Sequence, residues 1–205
     1  MSIASLSKFT VPLAGQNSQG MLMPKLQYRF RVMFQNFGTS GSTIELTKQV
    51  AKAARPNVQF APQTIEMYNS KVSFAGKPTW QTIQVSLRDD VTNKVAKLVG
   101  EQLQKQFDFM EQASAAAASN YKFTMAIEML DGGNGTINPV VLERWECYGC
   151  YLTQTNYQSL DYAQQGAQMI DLTIQPDNCI QVTSGVADAS SQRGTNATAG
   201  TSATT

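Results

Sequence analysis

Apolar residues recur at every second position along residues 26–36, with Leu26, Tyr28, Phe30, Val32 and Phe34 on one side and Gln27, Arg29, Arg31 and Gln35 on the other. Successive side chains of a strand point to opposite faces, so this pattern predicts a strand with one buried and one polar side. The same alternation returns from Trp80, where Ile83, Val85 and Leu87 oppose Thr82, Gln84, Ser86 and Arg88. It returns again in Tyr121, Phe123, Met125, Ile127 and Met129 against Lys122, Thr124 and Glu128. Residues 44–50 predict a further strand paired back on the first, across a turn at residues 38–41 (Gly-Thr-Ser-Gly). Residues 140–152 read as extended with less distinct faces, and residues 166–175 as a closing strand with Ile170, Leu172 and Ile174 inward.

One segment changes period. Val91, Val95, Leu98, Val99, Leu103, Phe107 and Met110 recur at three- and four-residue steps, which predicts a helix over about residues 91–112. Asp89 and Asp90 stand where a carboxylate can accept free first-turn amides and complement the helix dipole. Gly76 and Pro78 suggest a turn ahead of the strand that begins at Trp80. Between residues 54 and 69, Pro56 and Pro62 argue against a central strand or a continuous helix, and predict a long irregular loop. That loop carries Val58, Phe60, Ile65, Met67 and Tyr68, too apolar for a disordered linker, so it is expected to bury itself in a contact. The alternative is a loop folded over its own domain.

The fold class predicted is therefore mostly β: one antiparallel β-barrel or sandwich over residues 24–182 with one flanking helix. Residues 1–23 read as an arm, in which Phe9, Val11 and Leu13 could dock on a neighbour. Residues 183–205, rich in Ser, Thr, Ala and Gly, read as a low-complexity tail.

Composition narrows the function classes. With 205 residues, a net charge of +1 and only 15% charged residues, against about 25% in an average chain, the protein lacks the basic footprint of a dedicated nucleic-acid binder. A near-neutral surface suits a subunit that covers itself with copies of itself. No run approaches the ~20 apolar residues of a membrane helix, so no membrane anchor is expected, and the N-terminus does not read as a secretory signal.

Candidate chemistry is sparse. The absence of histidine removes the commonest general base and metal ligand. Cys147-Tyr148-Gly149-Cys150 is formally a CxxC pair, but in a strand positions three apart point to opposite faces, and no second ligand pair completes a zinc site. The odd count of three thiols, Cys147, Cys150 and Cys179, leaves open either buried reduced cysteines or a disulfide between subunits. Asp89-Asp90 is better explained by capping than by acid–base work, and Glu143 and Glu146, around Arg144, as charge partners. The residues call for no cofactor, no metal and no catalytic site; a non-enzymatic protein is expected.

Several segments, in this order, resemble the tail tube proteins of contractile-tailed bacteriophages. They are Tyr28-Arg29-Phe30-Arg31-Val32, Arg55-Pro56-Asn57-Val58, the run from Ser73 through Ala75-Gly76 and Trp80 to Asp89-Asp90 ahead of a helix, and Trp145 to Tyr162 with Gly149 and Leu160-Asp161-Tyr162. The long arm, the tail and the three cysteines depart from that family's pattern. The resemblance implies subunits that form hexameric rings stacking into an inner tube, a conduit for DNA without sequence-specific contact. Its implied partners are the tail sheath, baseplate and tape measure proteins, in a virion assembled in the host bacterial cytoplasm. It also implies a ring-to-ring contact through Arg55, Pro56, Asn57, Val58, Phe60, Ile65 and Tyr68, and a lumen or intersubunit role for Thr82, Gln84, Ser86 and Arg88. Tubes of type VI secretion or other contractile injection, tube initiators, and a soluble barrel that binds a small ligand are the alternatives.

Overall fold

The computed structural model describes residues 24–39, 42–130, 141–163 and 165–182. The predicted arm and tail, the turn residues 40–41 and the glycine-rich break at residues 131–135 lie outside the described residues.

The alternating segments pair into one antiparallel sheet that bends over on itself. The path runs β1 (Phe30–Gln35), β8 (Phe123–Leu130), β9 (Val141–Tyr157), β10 (Met169–Gln175), β5 (Ile83–Arg88) and β2 (Val50–Ala53), with β11 (Asn178–Val182) added to β9. Strand β9 makes the bend. Its first part pairs with β8 and β11, and its second part, from Tyr151 to Tyr157, pairs with β10. The outer strands β1 and β2 approach each other without a ladder between them, so of the expected barrel or sandwich the structure is the sandwich. Between the layers lie Val32, Phe34, Ile83, Val85, Leu87, Phe123, Met125, Ile127, Leu172 and Ile174, the inward halves of the alternating patterns.

The bend depends on Gly149. It takes a left-handed φ of 64°, and a Cβ there would sit 2.3 Å from Asp177 Oδ2. Around it Phe123 faces Cys150 while Met125 faces Cys147, so the strand carries one residue more than its partner, a β-bulge. The extra residue shifts the side-chain parity. Cys147 and Cys150, expected on opposite faces, both point into the core. A second irregularity at Thr153 is one more reason the faces of this strand look indistinct in the sequence.

Helix α1 (Ile44–Gln49) stands where a second strand was expected. Two apolar residues spaced by one, Ile44 and Leu46, are too few to fix a period; only Leu46 is buried, and Glu45 and Lys48 pair at 3.2 Å on the outside. Helix α2 (Lys94–Gln106) is shorter than the predicted 91–112 at both ends. At its start Asp90 Oδ1 accepts the amide of Lys94 at 3.1 Å, as the capping argument required, but Asn93 in a left-handed conformation postpones the first turn and leaves Val91 outside. The hydroxyl of Thr92 and amides at the helix start hold the Asp90 carboxyl below the usual range despite some desolvation. At its end Phe107 is extended, and Asp108 Oδ1 accepts the amides of Met110 and Glu111. A small hairpin follows, β6 (Phe107–Asp108) with β7 (Ala113–Ser114).

Two carboxylates are buried with partners. On the outer face of the first layer Arg31, Glu128 and Arg144 sit in register across β1, β8 and β9. Glu128, 1% exposed, accepts two hydrogen bonds from Arg31 (2.6 and 2.8 Å) and one from Arg144 (3.2 Å). Arg144 also reaches Glu146 at 2.8 Å. At the open end Glu143 accepts from Lys25 Nζ (2.6 Å) and Trp145 Nε1 (2.7 Å) and lies 3.6 Å from Arg55. Burial alone would raise the Glu143 carboxyl; the hydrogen bonds from Lys25 and Trp145 and the charges of Lys25 and Arg55 outweigh it and hold the group below the ordinary value.

Glu128→Ala would leave two guanidinium groups facing each other over a cavity, and should lower stability by about 3 kcal/mol in urea unfolding, whereas Arg31→Ala, at the partly exposed end, should cost less. Because the folded Glu143 carboxyl is more acidic than the unfolded one, its contribution is present above the ordinary glutamate range near pH 4.5. It is lost as pH falls through the lower, folded value. Glu143→Gln should therefore be less stable than the native chain at pH 7, with the gap in urea midpoints closing toward pH 3; a gap independent of pH would refute the assignment.

Candidate assembly surfaces

The segment expected to be an irregular loop is a long β-hairpin. Strands β3 (Val58–Met67) and β4 (Ser70–Trp80) pair with each other alone, so the hairpin stands off the sandwich as a separate ribbon of up to about 33 Å. The prolines fit because this is a two-stranded ribbon and not a central strand. Pro62 and Pro78 flank an irregularity at which Gly76 and Lys77 lie opposite Ala61. Gly76, expected to form a turn, instead allows a close approach: a Cβ there would lie 2.4 Å from the Ala61 carbonyl oxygen. The actual turn is Tyr68-Asn69.

Beyond the bulge the register sorts the ribbon into two faces. Ile65 opposes Val72, Gln63 opposes Phe74 and Met67 opposes Ser70, so Ile65, Met67, Val72 and Phe74 share one face. The other face carries Thr64 with Ser73, and Glu66 with Lys71. The four apolar side chains are 54%, 71%, 64% and 51% exposed. Tyr68, at the tip, is fully exposed and holds a left-handed φ of 49°. Of the residues assigned to a contact loop from sequence, Ile65 and Tyr68 belong to this outer ribbon. Phe60 lies on the opposite face nearer the base, opposite Pro78. Arg55, Pro56, Asn57 and Val58 form the base, with Arg55 near Glu143 and the Asn57 carbonyl accepting the Gln81 amide. Val72 and Phe74 were expected on a short strand ahead of the Gly76–Pro78 turn and not in the contact loop; their alternation with Ser73 was the available signal for a contact face.

The second surface is the outer face of the second layer. Gln84, Ser86 and Arg88 project there from β5, and Thr82 sits in the exposed link just before it. Ser86 stands in register between Lys52 on β2 and Asp171 on β10, and Gln84 beside Thr173. Ser86 Oγ donates to Asp171 Oδ1 at 2.6 Å and Gln158 Nε2 to Asp171 Oδ2 at 3.0 Å; these two bonds, with the charge of Lys52 adding to them, hold the Asp171 carboxyl below its usual range. Across the strands the face mixes hydroxyls and amides with three charges, Lys52, Arg88 and Asp171, of both signs.

A third feature is an open slot of about 690 Å³ between the unpaired edges of β1 and β2. Phe30, Val50, Ile127 and Met129 line its apolar part, and Lys52, Arg55 and Arg88 add charge to its walls. The cysteines contribute to none of these surfaces: Cys147, Cys150 and Cys179 are 0%, 0% and 5% exposed. A bond between subunits would require the sandwich to open. Among the described residues no group of acidic or cysteine side chains is placed to hold a metal ion, and no helix is long and apolar enough to cross a membrane.

No protein-family model matches the chain, and no curated protein matches it by sequence. Solved structures do resemble it. The tube-terminating cap of the anti-feeding prophage superposes with a TM-score of 0.61 at 13% identity, over 83% of this chain and 99% of that one. A chain of the PVC extracellular contractile injection system, from its sheath–tube complex in the extended state, gives 0.52 at 13% identity over 78% and 92%. The SPP1 tail tube gives 0.52 at 11% identity over 83% and 84%. At these identities the likeness is one of fold. The chain has the antiparallel, helix-flanked sandwich found in tube and tube-cap proteins of contractile injection systems and phage tails.

Proposed function

We propose that this chain is a structural, non-enzymatic subunit that assembles with copies of itself into the inner tube of a contractile injection system. The observation that carries the reading is the β3–β4 ribbon. A lone two-stranded hairpin is marginally stable in water, and this one presents four large apolar side chains on one face, each more than half exposed among the described residues. Tyr68 adds a second sign. A bulky residue in the left-handed region costs about 1 kcal/mol relative to glycine, so its retention at an exposed tip points to contact and not to folding. A projecting ribbon received elsewhere on the next copy makes a head-to-tail contact, which propagates where a self-complementary patch would close.

Within that class the finer reading is the tail tube of a contractile-tailed phage: hexameric rings, stacked inside a sheath and joined to baseplate and tape measure proteins, assembled in the bacterial cytoplasm and carried in the virion. The low-charge face of Gln84, Ser86 and Arg88 supports a lumen through which DNA passes, because a strongly basic lining would hold the polyanion by counterion release. The fold is equally at home in secretion and injection tubes without DNA. Packaged particles examined for this subunit and for DNA in the same tail decide between them.

Electron microscopy of the purified full chain should show rings or tubes of uniform width; a stable monomer that instead binds a small ligand would overturn the proposal. Ile65→Ser, Met67→Ser, Val72→Ser and Phe74→Ser combined should leave circular dichroism unchanged and abolish stacking, and normal tubes from this variant would sink the ribbon's role. Tyr68→Gly should raise subunit stability by about 1 kcal/mol while weakening tube formation. A gain in both would assign Tyr68 no part in contact.

A further inference from the structure

The three core thiols are not equivalent. Antiparallel pairing of β11 with β9 sets Cys179 directly opposite Cys147. Both side chains are buried, and each thiol shifts the proton affinity of the other. Cys150 lies across the Gly149 bulge, opposite Phe123 on β8, and its thiol donates to the Cys147 carbonyl oxygen at 3.4 Å. Directly opposed residues of an antiparallel pair have Cβ atoms about 4.5–5.5 Å apart, against about 3.5–4.5 Å across a disulfide. A small adjustment of one edge strand bridges that difference, whereas Cys150 stands opposite Phe123 on β8 and has no cross-strand cysteine partner.

In the closed fold burial shields the pair from reagents. The contact with Cys179, followed by burial, pushes the Cys147 thiol far above its ordinary range, the same contact holds the Cys179 thiol below its own, and burial pushes Cys150 up to about 12. Attack on a disulfide needs a thiolate and access. Access arises when β11 lifts away; among the described residues it is an edge strand, paired with β9 alone.

We propose that Cys147 and Cys179 form a disulfide within the subunit, between β9 and β11, when the protein meets a small-molecule disulfide such as oxidised glutathione. In the first step one of the two thiolates attacks that disulfide, forming a mixed disulfide and releasing one reduced thiol. The second cysteine, deprotonated, attacks the protein sulfur of the mixed disulfide and releases the other. Two protein thiols are oxidised to one S–S bond, one reagent disulfide is reduced to two thiols, and the protons pass to the released thiolates. The bond would staple the last described strand to the strand that carries the bend, closing a loop from residue 147 to residue 179 that includes β10. The inference does not depend on the tube reading.

The test uses the full chain, incubated with oxidised glutathione, alkylated under denaturing conditions and mapped by mass spectrometry without reduction. A single link between the peptides of Cys147 and Cys179, in a monomeric chain with Cys150 alkylated, is the expected result. The thermal midpoint should rise by on the order of 10 °C and return on reduction. Cys150→Ser should keep both the link and the rise, and Cys179→Ser should lose both. Linkage through Cys150, linkage between chains, or three free thiols after a time that oxidises the urea-unfolded chain would each overturn the proposal.

Discussion

The architecture depends on one strand belonging to two layers. Strand β9 runs for 17 residues and changes partners near Gly149, from β8 and β11 to β10. A strand can turn such a corner only where its ladder is locally broken, and a bulge with a glycine in the left-handed region is the low-cost way to break it. The consequences reach beyond the corner. The bulge brings Cys147 and Cys150 to one side and places the Asp177 carboxylate over the glycine, where Lys122 binds it. It also folds the sheet so that the inward faces of β1, β8, β5 and β10 meet as one core.

A sheet folded in this way has two ends, and here neither is finished. The edges of β1 and β2 flank an apolar slot, and the β3–β4 ribbon leaves the sandwich between β2 and β5 with its apolar face bare. Unpaired edges invite pairing with other chains, and monomeric proteins blunt them with charge, cover or closure. In this subunit Lys52 and Arg88 border the slot, yet most of its lining is aliphatic or aromatic. Covering the ribbon is worth about 1 kcal/mol for each half-exposed side chain, small for one contact and large when every copy makes it. The Glu143 cluster fixes the base of that ribbon: it binds Arg55, next to the ribbon, and Lys25, ahead of β1, with one buried carboxylate on β9. The two unfinished ends are thereby referred to the same rigid strand.

The sequence made the core strands legible because each buries one face only, so the alternation of Val32, Phe34, Ile83, Val85 and Leu87 with polar neighbours survives intact. It misled wherever the backbone departs from regularity. Ile44 and Leu46 mimicked a strand over a stretch too short to show its period, and Asn93 displaced the helix start by a turn that the position of Asp90 alone did not reveal. Pro62 and Gly76 hid the ribbon, since proline and glycine read as loop unless their places in a two-stranded ladder are known. The edge strand β11 was too short and too polar to announce itself. Of the candidate contact residues, Ile65 and Tyr68 could be found by apolarity in a proline-containing segment. Val72 and Phe74 needed the register.

What the ribbon does to an assembly follows from its position. Its base lies beside the slot, where Arg55 lines the wall, and its tip stands up to about 33 Å away. If the slot or a surface near it receives the tip of the next copy, each addition exposes a fresh tip and consumes one receiving site, and growth has no internal limit. In the proposed assembly a closed ring alone would leave every ribbon bare, whereas stacked rings would cover all but the last layer. The polar face of β5 and β10 then answers the complementary need. A tube must keep one surface in water along its whole length, and Gln84, Ser86 and Thr173 provide side chains that water can satisfy without building a strong field of either sign. In the proposed tube the same subunit would separate an apolar contact that drives growth from a polar wall that keeps the interior open.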